Sequence, residues 1–422
     1  MTPKPQRRPW TIAILLGIGV VVNYLDRVNL SVAHDALSLR FGISDVTFGY
    51  LLSAYSWTYA VMQLPSGSLL DRFGVRRVMV PAVLIWAVAS GFASIAPSIG
   101  LLFASRFLLG IGEAPTFPAN SKSITQWFPP DRRGMPTATF DAASKFSIGL
   151  CTAMLGAILL RHGVQTVFAV TAVLSLGYAV LFAWIYRDPA PQASFALKQT
   201  TFEGDHELSL GALLKTRKVW GAAIGSGAYN YCFYLLLTWL PYYLQRGLRM
   251  SPQQVIVWVA VPWLVASVTG FLLGGRLTDR LIRSGRKSDP VRRLILITGM
   301  AFAVLVVAPC FLQSPRLILL CLTLALCGIS TASPIAWTLP GLLAPGSSGR
   351  LGGVLNFSGQ IAAITAPIIT GYIHGHTGSF NGAFAVAGSV VFLGLMSYSF
   401  LLGPIEPIAP VLSAPGDRAM QE

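Results

Sequence analysis

The stretch GSLLDRFGVRR, residues 67–77, returns in weaker form as GRLTDRLIRSGRK, residues 275–287. Each copy sets a glycine four residues before an Asp-Arg pair, Gly67 before Asp71 and Gly275 before Asp279, and adds further basic residues and a glycine. Each also follows the second apolar run of its own half of the chain. The two copies therefore stand in register with an internal repeat, and the runs that flank them decide the fold.

Apolar runs long enough to cross a bilayer, roughly 20 residues each, lie at 11–32, 46–67, 79–97, 100–121, 137–160, 165–186, 218–244, 252–275, 293–312, 317–339, 353–374 and 380–403. The 422-residue chain is 54% hydrophobic and 11% charged, with mean hydropathy +0.62. A soluble domain carries about 25% charged residues. A spanning segment must satisfy its own backbone hydrogen bonds, so the runs are helices. The expected fold is an all-α integral membrane protein of twelve transmembrane helices in two pseudo-symmetric halves. Residues 1–186 and 218–403 form the six-helix halves. Residues 187–217, polar and proline-containing, form a cytoplasmic linker with a short surface helix at 207–215, and 404–422 form a cytoplasmic tail.

The net charge of +15 could suggest nucleic acid, but its distribution excludes that. Of the 31 Lys and Arg, 23 gather on one side, Arg40, Arg161, Arg246, Arg249 and Arg316 lie on the other, and Arg27, Arg106 and Lys145 lie within spans. That asymmetry places both termini in the cytoplasm of a plasma (bacterial inner) membrane protein and puts the basic loops against lipid head groups. Arg7 and Arg8 followed by an apolar run resemble a signal peptide, but Asp26 and Arg27 interrupt it. The five cysteines fall in spans without metal or disulfide spacing, so they read as small apolar side chains. His34, His374 and His376 fall near extracellular span ends and receive no role. No P-loop, nucleophile–base pair or metal cluster appears, so no enzyme, metal or organic cofactor is expected.

A repeat of six spans is a mark of secondary transporters, with the site at the midplane between halves. The loop at Gly67, Asp71, Arg72, Gly74, Arg76 and Arg77, with Asp279 and Arg280 in the second copy, suits a switch: aspartates accept at helix N-termini and arginines reach carbonyls. Charge buried in a span is costly and faces a cavity or a partner. Such residues cluster in the first half: Asp26 and Arg27 in NYLDRVNLSV (23–32), Arg106 and Glu113 two turns apart in span four, and Asp141 with Lys145 in span five. Adjacent Asp26 and Arg27 project about 100° apart, so one faces the cavity and the other a neighbouring helix. Arg27 is set to meet an anion through two parallel hydrogen bonds, and Asp26 and Glu113 to carry the coupling proton.

GSLLDRFGVRR resembles the signature loop of the major facilitator superfamily. NYLDRVNLSVA (23–33), RFLLGIGEAPTFPAN (106–120), QWFPPDRRG (126–134) and YRDP (186–189) together resemble its anion:cation symporter family. That family includes hexuronate and galactonate carriers and the vesicular glutamate and sialic acid carriers. The resemblance implies that Asp26 and Glu113 are proton-coupling groups and that Arg27 and Arg106 bind substrate or position those acids. It also implies that Tyr24 and Tyr59 line the cavity, that Asn356 contacts substrate from the second half, and that Trp337 is an aromatic beside it, the alternative for Trp337 being the interfacial aromatic belt. The chain departs from the family at span five. Asp141 and Lys145 are four residues apart where the family is neutral, and Ser144 stands where galactonate-type members carry Gln. Lys145 is then either half of a self-neutralising pair with Asp141 or a second cationic contact for a dicarboxylate or aromatic acid. Tyr229, Asn230, Tyr234, Thr338, Ser358 and Gln360 are neutral candidates in the second half.

The leading expectation is a monomeric proton symporter importing a small organic anion by alternating access. An exporter of an organic acid or drug, or a nutrient receptor that moves no cargo, are the alternatives.

Overall fold

The structure, a computed structural model, describes residues 7–128, 134–189, 208–344 and 347–408. Expectations for most of the linker, for the tail beyond 408 and for residues 129–133 of QWFPPDRRG lie outside these residues, as do the side chains of Asp71 and Asp141.

The described chain is helical from end to end. Helix α1 (Arg7–Val32) runs into the short α2 (His34–Phe41), then α3 (Asp45–Phe73), α4 (Val75–Ile95), α5 (Ile99–Glu113) and α6 (Thr116–Trp127). Helix α7 (Gly134–Ile185) is two spans joined at Gly163, whose φ of 79° breaks the helix. After α8 (Leu210–Leu214) come α9 (Arg217–Tyr242), α10 (Pro252–Thr269), α11 (Thr278–Arg283), α12 (Ser288–Ala303), α13 (Pro315–Leu343), α14 (Ser348–Thr377) and α15 (Asn381–Met396). Helical turns at 243–247, 270–277, 304–310 and 397–401 extend α9, α10, α12 and α15. Eight of these segments are long and apolar enough to cross a membrane by themselves, among them the doubled 142–185. The remaining crossings are made by α3, by α5 with α6, and by α9. The six-and-six arrangement of the sequence is thus present as an integral membrane bundle, with several helices overrunning the apolar runs.

Within the first half α7 packs on α1 and α4, and α5 on α3 and α4; within the second, α9 packs on α14 and α15, and α13 on α10 and α12. The halves meet along α3–α14, α7–α10 and α1–α9. Backbones come close there because glycine lets them: a Cβ on Gly49 would stand 2.7 Å from the Pro367 carbonyl oxygen.

One face of the bundle carries the start of α1 and the repeated loops. There the Val75 and Arg76 backbone N–H groups donate to the Asp188 carboxylate at 2.8 and 3.2 Å. An anion at a helix N-terminus is favoured by the macrodipole. The acid that caps α4 is therefore Asp188 of YRDP, reached from the far end of α7. Arg76 also donates to the Ala183 carbonyl and Lys122 to that of Leu70. Gly74 is required, since its φ of 81° with ψ of 164° is closed to other residues. In the second copy Asp279 pairs within its own helix with Arg283 at 3.7 Å, both exposed. Asp289 accepts from Ile405 N–H at 2.6 Å, which fastens the segment after α15 to the start of α12 and caps no helix N-terminus. Arg72, Arg77 and Arg280 are exposed and Gly67 is open on all sides.

The opposite face carries the end of α1 and the start of α3. His34, expected to be an ordinary exposed histidine, is buried there at 4% exposure among side chains of both halves. His374 is also largely enclosed, whereas His376 is exposed and rests on the Tyr372 carbonyl.

Candidate functional site

Midway along α1 the polar step NYLDRVN turns two charges in different directions. Asp26 points back into the first half and is fully buried. Its carboxylate accepts from Ser90 Oγ of α4, from Ser175 Oγ of α7 at 2.9 Å and from Asn29 Nδ2 at 3.4 Å. Asn29 also donates to Thr171 Oγ1 at 3.3 Å. A buried carboxylate needs several donors to offset lost hydration, and here hydroxyls on two neighbouring helices supply them.

Arg27 points the other way and forms a salt bridge from Nε to Glu113 Oε2 at 3.1 Å, with both side chains nearly inaccessible. Tyrosine rings surround its guanidinium: the carbon lies 5.0, 4.9 and 5.1 Å from the ring centres of Tyr24, Tyr55 and Tyr59, and 5.9 Å from that of Phe117. Such faces attract a cation and exclude water from its ion pair. Among the described residues Arg27 Nη2 makes no hydrogen bond, while Tyr55 stands beside the Glu113 carboxylate. A buried donor left unused costs about 1–3 kcal/mol, so this nitrogen is suited to a further partner.

Arg106, expected to bind substrate or position an acid, donates to the Asp26 carbonyl and to Asn29 Oδ1, both at 3.2 Å, and lies 5.4 Å from the Phe168 ring centre. It tethers the polar step of α1 to α5. Asn29 thereby links Asp26 to Arg106 through one side chain.

These groups border a cavity between the halves. Asp26, Arg27, Tyr55, Ser56 and Arg106 line it from one side, and Tyr234, Thr238 and Ala363 from the other. It leaves about 30 Å³ for a water-sized occupant, room for one or two waters. A larger guest requires the halves to move apart.

The other expected residues spread around this centre. Ser144 and Lys145 are buried in α7, and Lys145 Nζ donates across the boundary to Ser333 Oγ of α13 at 3.4 Å. Asn356 of α14 donates across it to Gln63 Oε1 of α3. Trp337, 59% exposed, is the expected site residue that the structure keeps outside, as a belt tryptophan would be. Residues missed from sequence are Tyr55, Asn29, Ser90, Thr171 and Ser175. Tyr55 sits one helical turn before Tyr59, a spacing that offered a signal. The hydroxyls offered none, because serine and threonine in spans usually bond their own helix.

The profile of the Major Facilitator Superfamily matches residues 16–364. The chain is 33% identical over 419 residues to the uncharacterized transporter YybO of Bacillus subtilis (strain 168), covering 96% of each. It is 32% identical to that organism's probable galactarate/D-glucarate transporter GudP, over 94% of this chain and 93% of the relative. It is 30% identical to the D-galactonate transporter of Escherichia coli O6:H1, over 96% and 98%. Among solved structures, a bacterial homolog of the human lysosomal transporter Spinster, in an inward-facing and occupied conformation, superposes with a TM-score of 0.75 at 15% identity, covering 94% of this chain and 97% of that one.

Proposed function

The chain belongs to the major facilitator superfamily, and from that premise we propose that it is a proton-coupled symporter importing a small organic anion by alternating access. The observation that carries the reading is the Arg27–Glu113 pair, whose arginine lines the cavity and keeps Nη2 without a hydrogen bond among the described residues. A substrate carboxylate takes Arg27 Nη2 and draws the guanidinium from Glu113. Glu113, deprived of its counter-charge in an apolar cavity, takes a proton, and release of one guest favours release of the other. Asp26, linked through Asn29 and Arg106, is the second proton carrier. Importing an anion against an inside-negative potential needs co-transported cations, and two such acids supply them.

The orientation follows from the basic side of the bundle: termini and repeated loops face the cytoplasm, and the His34 face looks outward. The relatives named for galactarate, D-glucarate and D-galactonate support a sugar acid as cargo. Lys145 and Ser144 favour the diacids among them, since Lys145 adds a cation and the serine withdraws a longer hydroxyl-binding side chain.

Uptake of radiolabelled galactarate and galactonate into proteoliposomes with an imposed pH gradient tests the reading. We expect accumulation to vanish when the gradient is collapsed. Glu113→Gln and Asp26→Asn should abolish accumulation, with counterflow exchange surviving in at least one of them. Normal accumulation by both variants overturns the assignment.

A further inference from the structure

At the outward face the two halves are tied by side chains that the transport site does not use. His374 Nδ1 of α14 meets Asp45 Oδ2 of α3 at 2.8 Å. Arg246 Nη2 and Gln245 Nε2, just beyond α9, donate to Asp35 Oδ2 of α2 at 3.1 and 2.9 Å. Tyr242 of α9 stacks on the His34 ring with centres 3.6 Å apart. His34 lies between the two aspartates of its own half, Nδ1 at 3.2 Å from Asp35 Oδ1 and Nε2 at 3.2 Å from Asp45 Oδ1, the second contact off the line of a hydrogen bond.

We propose that this cluster is the outer gate, and that protons from outside hold it shut. A neutral imidazole has one N–H and cannot present hydrogens to both aspartates. The protonated ring presents one at each nitrogen, keeps Asp45 aimed at His374, and offers Tyr242 a cation to stack on. The titratable and charged groups facing His34 are Asp35, Asp45, Tyr242, Arg246 and His374. With both imidazoles neutral, two carboxylates face one guanidinium and the cluster is net negative. Each proton moves it towards balance, and the proton on His374 acts directly across the boundary between halves.

The carboxylates remain charged throughout. Desolvation works to raise Asp45, but the hydrogen bonds and charge of His34 and His374 outweigh it and hold the carboxyl well below the usual carboxylate range. Asp35 is depressed against the same desolvation by the His34 hydrogen bond and the Arg246 charge. Depressed carboxylates contribute above the usual carboxylate range and lose that contribution only as pH falls through their lowered values. With the carboxylates charged, the proton-accepting groups left in the cluster are the two imidazoles. Acid outside thus opposes outward opening even as it increases the proton gradient, an inhibition separate from the coupling acids at the midplane.

The inference uses alternating access and does not depend on which anion is carried. The test places spin labels at the exposed Leu39 and Phe311, on opposite halves of this face, in full-length protein in lipid nanodiscs with native cysteines replaced. Both faces then see one pH, so the readout is independent of orientation. Distance distributions should shift to the short, closed population from pH 8 to pH 5, with a closed-to-open ratio rising about tenfold. His374→Gln should flatten the response to under twofold, while Asp45→Asn should favour the open population at every pH. His376→Gln, on the exposed neighbour, should respond as wild type does. If His374→Gln does not fold, Asp45→Asn alone decides. A wild-type distribution indifferent to pH, an undiminished response in His374→Gln, equal flattening in His376→Gln, or a closed Asp45→Asn overturns the proposal.

Discussion

At the residue scale, the two charges of the first polar step have separate solutions. Arg27 is held by one acid and aromatic faces beside the cavity, whereas Asp26 is held by hydroxyls behind it. Hydrogen bonds to a charged group contribute about 1.5–3 kcal/mol each. Ser175→Ala should therefore destabilise the protein by roughly that amount while Asp26 is present. In an Asp26→Asn background the same change should cost well under half as much, because the charge it serves is gone. Unfolding of the four proteins in detergent reads the difference, and equal costs in both backgrounds would show that Ser175 is mere packing. The sequence made the charges legible, since an ionisable residue in a span is conspicuous by its cost. It left the partners illegible. Ser90 and Ser175 are indistinguishable in sequence from Ser105, which bonds the Leu102 carbonyl of its own helix. Only the packing of α4 and α7 against α1 selects them.

At the element scale, the repeated loop was legible as a pattern and only partly as a mechanism. Gly74 follows from the motif because α3 and α4 must reverse through a backbone that L-residues avoid. The acid at the N-terminus of α4 comes instead from Asp188, more than a hundred residues away in sequence. The two glycines of the motif should then behave differently. Gly74→Ala combines φ of 81° with a Cβ 3.0 Å from Asp188 Oδ2, and strain of this kind costs about 1–3 kcal/mol. Gly67 sits mid-helix with nothing within 4 Å of an added Cβ; Gly67→Ala should be neutral to stabilising by up to about 1 kcal/mol. Melting temperatures of the two variants test this, and a larger loss at Gly67 would refute the steric account. His34 and His374 show the same limit from the other side. Their positions near span ends were readable, but the partner helices that enclose them were not.

At the scale of the whole molecule, the cavity belongs to neither half. Its charges come from α1 and α5, while α9 and α14 bring neutral residues such as Tyr234, Thr238 and Ala363; Lys145 of α7 ties to Ser333 of α13 across the same boundary. Arg27 and Arg106 balance ionised Asp26 and Glu113, and on the proposed mechanism protonating both acids would leave two positive charges. A cavity that becomes more cationic on taking up protons favours an anion at the same moment, and more strongly one with two carboxylates. The proposed preference for two carboxylates rests on Lys145, the added cation of span five, which reaches Ser333 across the boundary between halves. Lys145→Gln should raise KM for galactarate at least tenfold, consistent with loss of one charged hydrogen bond, and change that for galactonate less than threefold. The same variant should also loosen the α7–α13 tie at Ser333, an effect common to every substrate that would appear as an equal change in kcat. Separate measurement of KM and kcat for the two acids distinguishes these consequences. Equal KM shifts for both would place Lys145 among the ties between halves and remove the diacid preference from its account.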